Sequence, residues 1–195
     1  MKRFFLLAVA ISAILTSCQL SEESFSDTKV NSSNVKNIKM QDALSHYEVY
    51  FHIISSFEYR VKEKHEENLL RFEKHLNSKI PEVSDYEKID LELLKTLENA
   101  PNDFIEQLNY PADIKTIIYL ILNEVFDLAS VDRNDEKKYQ FFSSMFELHQ
   151  EGLGDDGKLN DRRTIAFAYG SQYNFKRAVL YAGAIQLSRF KHSER

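Results

Sequence analysis

Residues Asp113–Ala129 read DIKTIIYLILNEVFDLA, and this stretch decides the fold. Placed on a helix, Ile114, Ile117, Ile118, Tyr119, Leu120, Ile121, Leu122, Val125, Phe126 and Leu128 leave almost no polar face. A helix that is apolar on most sides is surrounded by others, so the segment predicts the buried centre of a bundle. Composition agrees. The 195 residues include five glycines, three prolines and no tryptophan, with 14 phenylalanines and 10 tyrosines. Few breakers and many long side chains favour helices over sheet. The expected class is all-α, a bundle of five or six helices with a long N-terminal helix and the buried central one.

Before the central stretch, Asn37–Ile80 contains neither glycine nor proline. Leu44, Tyr47, Phe51, Ile54, Val61, Leu69, Phe72 and Leu76 recur at steps of three and four or their sums, which predicts an amphipathic helix and allows one long rod. The charged run Glu63–Lys74 is where such a rod would bend or become exposed, and Ile80-Pro81 ends it. Ser84-Asp85-Tyr86-Glu87 has capping-box spacing and predicts a helix to about Asn99, with Tyr86, Ile89, Leu93, Leu94 and Leu97 inward. A short helical turn comes next over Phe104–Leu108, and Pro111 suits the first position of the central helix.

After it, Ser130–Glu136 reads as a polar turn, and Lys137–Gln150 as a helix with Tyr139, Phe142, Met145, Phe146 and His149 along one side. Glu151–Asp161, EGLGDDGKLND, holds three of the five glycines and reads as a loop, with Asn160 or Asp161 placed to cap the last helical segment. That segment is Thr164–Phe190, with a break expected near Gly170-Ser171. Ala178, Ala182, Gly183 and Ala184 allow another helix to approach closely.

The first residues carry a different signal. Lys2 and Arg3 precede an apolar run, Phe4–Leu15, that is too short to span a bilayer as a helix. Leu15-Thr16-Ser17-Cys18 resembles the lipobox of bacterial lipoproteins at every position. The resemblance implies a signal peptide over 1–17, diacylglyceryl attachment to the Cys18 thiol, and further acylation (palmitate) of the new amino group. Cys18 is the only cysteine, so no disulfide supports the fold and the domain rests on its core. Two or three acyl chains, at about 0.8 kcal/mol per buried methylene, make a stable anchor. Residues 18–36, rich in Ser, Asn and acidic side chains, read as a flexible tether, and 37–195 as a single helical domain. Gln19, where inner-membrane retention favours Asp, resembles an outer-membrane type. Ser21-Glu22-Glu23 resembles the acidic signals of surface-exported Bacteroidetes lipoproteins.

Formal charge is −5, and loss of Lys2 and Arg3 would take it to −7. Net acidity argues against nucleic-acid binding. The charge is uneven. From Lys158 onward eight basic residues face only Asp161 and Glu194. This segment either lies against the acidic helices or presents Arg162, Arg163, Lys176, Arg177, Arg189 and Lys191 as a basic face for an acidic partner.

Motifs for catalysis or metal binding are absent. Asp155, Asp156, Asn160 and Asp161 do not match the calcium-loop spacing, since Gly157 comes too early and residue 166 is Ala. His46, His52, His65, His75, His149 and His192 form no ligand set, and His65-Glu66-Glu67-Asn68-Leu69 ends in Leu where a zinc motif needs His. His65 suits a hydrogen-bonded core histidine, and Glu66 and Glu67 a solvated helix face. No enzyme activity, cofactor, metal or small-molecule substrate is expected.

The lipobox, the Ser/Asn-rich tether and a helical domain poor in Gly, Pro and Trp together resemble the helical surface lipoproteins of Borrelia-type spirochaetes. That resemblance implies a lipid-anchored outer-membrane protein at the cell surface that binds a host protein. The alternative is a periplasmic immunity lipoprotein that neutralises a secreted toxin, for which an acidic surface is suited.

Overall fold

Ser45 starts the first helix by reciprocal capping. Its hydroxyl accepts the Glu48 N–H, and the Glu48 carboxylate accepts the Ser45 N–H at 2.6 Å. A computed structural model describes residues 45–81, 86–100, 102–150 and 157–194, with side chains to residue 191. The signal-peptide, Cys18 and tether readings, Leu44, Ser84, and Asp155 and Asp156 lie outside these residues. Every described element is helical: α1 (His46–Ser55), α2 (His65–Lys79), α3 (Leu91–Glu98), a 3-10 turn at Asn102–Gln107, α4 (Ala112–Leu122), a 3-10 turn at Leu128–Ser130, α5 (Glu136–Gln150), α6 (Gly157–Ser171), α7 (Phe175–Ser188) and a final 3-10 turn at Arg189–Glu194. The all-α bundle holds, with seven α-helices among the described residues in place of the expected five or six. None of the described helices is long and apolar enough to cross a membrane.

The expected rod over 37–80 is two helices. α1 stops at Ser56, whose N–H donates to the His52 carbonyl. The intervening stretch is clamped by Asn68, which is fully buried on α2. Its Oδ1 accepts the Arg60 N–H at 2.8 Å and its Nδ2 donates to the Arg60 carbonyl at 3.0 Å. A side-chain amide thus takes the place of the helical hydrogen bonds that Arg60 gives up. The break also changes the buried face. Val49, Tyr50 and Ile53 are buried in α1, while Phe51 and Val61 of the expected stripe are 50% and 56% exposed. In α2 the expected Leu69, Phe72 and Leu76 are buried.

The expected capping box at Ser84–Glu87 does not start α3. Asp90 does, its Oδ1 accepting the N–H groups of Glu92 and Leu93. Glu87 is drawn elsewhere. Asn77 binds both its N–H and its carbonyl, and its carboxylate turns inward, 5% exposed. Leu94 and Leu97 are buried as expected, whereas Tyr86 is exposed.

The largest correction concerns the centre. α4 ends at Leu122 and buries only Ile118, Ile121 and Leu122 of its eleven residues. Leu120 and Val125 are exposed. The stop is local. Glu124 takes φ 58°, its N–H donates to the Ile121 carbonyl, and the Val125 N–H reaches back to the Leu120 carbonyl. This is a Schellman-type termination with glutamate in the left-handed position that glycine usually occupies. Pro111 sits one residue before α4, as its cap.

The buried centre is α7. Eleven of its fourteen residues are buried, from Lys176 through Leu187. It packs on α1, α2, α3 and α6. Two glycines permit this. A Cβ on Gly170 would lie 2.5 Å from the Ala178 backbone nitrogen, so α6 and α7 touch backbone to backbone at their turn. A Cβ on Gly183 would run into the Phe72 ring and lie 2.8 Å from Ile54 Cδ1, so α7 also lies close against α1 and α2. The break expected at Gly170-Ser171 falls at the end of α6. α5 matches its expected span, with Phe142, Met145 and His149 buried. α6 begins by Gly157, ahead of the expected caps at Asn160 and Asp161.

Candidate protein-binding surface at the turn between α6 and α7

The turn between α6 and α7 is short because Gly170 lets the helices meet and Asn174 restarts the chain. The Asn174 side chain accepts the Arg177 N–H at 2.7 Å, capping α7. Its Nδ2 donates to Glu87 Oε1 at 2.7 Å, and Arg177 Nε donates to Glu87 Oε2 at 2.8 Å. One buried carboxylate therefore fixes both ends of the first turn of α7. Glu87 is fixed in turn by the Asn77 amide of α2.

Tyrosines surround this arginine. The Arg177 guanidinium carbon lies 4.5 Å from the centroid of the Tyr173 ring. The Tyr169 and Tyr173 hydroxyls are 3.4 Å apart. Tyr181 packs edge-on against Tyr169, and its hydroxyl accepts the Asp90 N–H. Burial pushes the Tyr169 hydroxyl up to about 12, helped by the neighbouring Tyr173 hydroxyl. Burial also raises Tyr181. Both are neutral at physiological pH. Tyr173 is 56% exposed, although its backbone and its two neighbours are held. The result is a preorganised aromatic edge with one fixed cation, the residue types that dominate protein–protein contacts.

The six basic residues singled out in the sequence do not share one exposed face. Arg163 is buried on α6. It donates to Gln186 Oε1 at 2.8 Å, to the Leu148 carbonyl, and to Asn160 Oδ1 at 3.4 Å, joining α5, α6 and α7. Nearby, burial pushes the Tyr50 hydroxyl up to about 12 against the opposing pull of the Arg163 charge. Lys176 is also buried. Arg162 is half-buried. Arg177 pairs with Glu87, and Lys191 lies 3.7 Å from Glu98 on α3. Arg189 is exposed, its guanidinium over the Phe190 ring. Of the six, Arg177 and Lys191 meet carboxylates while Arg163 is held by neutral oxygens, and Arg177 is the member that coincides with the aromatic edge.

Other candidates take ordinary places. His65 is buried, with Nδ1 3.1 Å from the Tyr59 hydroxyl, a core histidine as expected. His149 is buried and pairs through Nε2 with Asp161 Oδ1 at 3.1 Å. Glu66 and Glu67 are exposed. Among the described residues no group of three or more His, Cys, Asp or Glu side chains is placed to hold a metal ion. Sequence reasoning missed Tyr169, Tyr173, Tyr181 and Glu87. The tyrosines flanking Gly170 were a usable signal, because a tight helical turn brings i and i+4 aromatics to one edge. Glu87 offered none, because the partners of its carboxylate, Asn174 and Arg177, lie about ninety residues away. No family model, no characterised protein and no solved structure matches this chain.

Proposed function

We propose that the chain is a lipoprotein anchored to the outer membrane through acylated Cys18, displayed at the cell surface, where its helical domain binds a host protein without catalysis. The observation that carries the binding role is the exposed Tyr173 ring stacked beside a fixed Arg177. Rigid Tyr and Arg side chains lose little entropy on association and are favoured as binding anchors. The lipobox at Leu15–Cys18 supports the anchor.

Protease shaving of intact cells, with a periplasmic protein as internal control, tests the location. The expected result is digestion of this protein while the control survives. Survival until the outer membrane is broken would overturn surface display. Toxin neutralisation, which a net charge of −5 suits when the toxin is basic, would then take its place. The binding edge is tested with Tyr173→Ala on a panel of immobilised matrix and complement proteins. An affinity loss of about tenfold or more is expected for whichever protein binds. Unchanged affinity would exclude this edge.

A further inference from the structure

The face of α2 that carries Arg71, Lys74, His75 and Ser78 repeats at i, i+3, i+4 and i+7, so these four side chains form one stripe. With Ser56, Phe57 and Glu58 from the end of α1 and the adjoining turn, they line an open depression of about 450 Å³. In this acidic chain the depression concentrates cationic and hydroxyl groups. We propose that it is a site for a phosphate or sulfate ester group, held by Arg71 and Lys74 with the Ser56–His75 pair beside them.

The charges are placed for this. Arg71 is fixed from behind, its guanidinium donating to the Glu58 carbonyl at 3.2 Å and to Asn68 Oδ1 at 3.2 Å, and lying 5.5 Å from the Phe57 centroid. Glu63 takes part of its charge at 3.3 Å, and is shared with Arg60. Lys74 is exposed and makes no ion pair among the described residues. That separates this site from a depression of about 220 Å³ beside Tyr110, where Lys115 already serves Glu106. Ser56 Oγ donates to the Ile53 carbonyl at 3.2 Å and lies 3.1 Å from His75 Nε2. Burial first, and then the Lys79 charge, hold the His75 imidazole below its usual range, against a hydrogen bond to the Ile53 backbone that raises it and with the neighbouring His52 lowering it further. The charged and titratable groups facing it are Arg71, Lys74, Lys79 and His52 on one side of the balance and Glu58 on the other. An anion seated against Arg71 and Lys74 offsets the cations and raises the proton affinity of His75.

The test is an NMR titration of the histidine side chains of the full chain in detergent, with inorganic phosphate added at constant ionic strength against chloride. A second arm uses a sulfated disaccharide. The expected result is a saturable shift centred on His75, with its apparent pKa raised by about half a unit or more. Lys74→Gln, at an exposed position, should weaken that saturation about fivefold or more while the fold's spectrum is retained. Saturation by phosphate alone would assign a phosphate source, and by the disaccharide alone a sulfated glycan. The site is excluded if neither anion saturates, if all histidines shift alike, or if Lys74→Gln binds as the parent does.

Discussion

Glu147 stands on α5, half-buried and without a cationic partner among the described residues. Burial raises its pKa, and the Glu48 carboxylate on the facing helix α1 raises it further. The folded state therefore holds a proton there more readily than the unfolded chain. The resulting stability is fully present below the unfolded value of 4.5 and is lost as pH rises through the raised folded value. At neutral pH the ionised carboxylate destabilises the fold. Glu147→Gln should accordingly raise stability at pH 7 by about 0.5 kcal/mol, discounted for solvent screening. In urea denaturation the advantage should shrink as pH falls toward 4. An equal advantage at both pH values would assign the gain to something other than the charge. Glu87 shows the contrasting case, a carboxylate that is deeply buried and fully partnered. Nothing in its sequence neighbourhood announced this, because Ser84-Asp85-Tyr86-Glu87 satisfies a local capping pattern equally well. The amides of Asn77 and Asn174 and the Arg177 guanidinium hold Glu87 instead.

The helices were legible where their ends are encoded locally and misread where they are not. Gly170-Ser171 marked a real stop, because only a residue without Cβ fits against Ala178. The end of α1 had no such mark. Residues 44–76 keep three- and four-residue spacing across the break, since Val61 falls in phase by chance and is exposed. The break depends on Asn68, whose side chain replaces two backbone partners. α4 was overextended for a related reason. Its terminator is Glu124 at φ 58°, a residue that does not read as a stop. A non-glycine residue in the left-handed region costs roughly 1 kcal/mol. Glu124→Gly should therefore stabilise the protein by about 0.5–1 kcal/mol, after allowance for the greater freedom of glycine in the unfolded chain. Thermal denaturation would show it as a rise in Tm. A fall would mean that the Glu124 side chain contributes more than its backbone strain removes.

At the scale of the whole molecule, the position of the centre separates hydrophobicity from burial. α4 is the more apolar segment to read, yet it lies at the periphery with Leu120 38% exposed. α7 is interrupted by Lys176, Arg177, Gln186 and glycine, yet it is enclosed by α1, α2, α3 and α6. Its alanines and Gly183 explain why. Small residues let four helices approach one axis, so enclosure depends on what fits and not on mean hydropathy. The polar residues of α7 are compatible with this position because they meet partners: Arg177 meets Glu87, and Gln186 meets Arg163. Beyond the end of α7, Lys191 lies 3.7 Å from Glu98 of α3. Leu180→Ala, at a position with 0% exposure, should then cost about 3 kcal/mol or more through lost burial and a residual cavity. Leu120→Ala should stay within about 1 kcal/mol. Native-state hydrogen exchange should rank the helices in the same order, with the α7 amides opening only in global unfolding and those at the end of α4 exchanging by local fraying. If Leu120→Ala proved the costlier change, or the α4 amides the slower to exchange, the bundle would be organised around α4, and the close approach at Gly183 would be incidental.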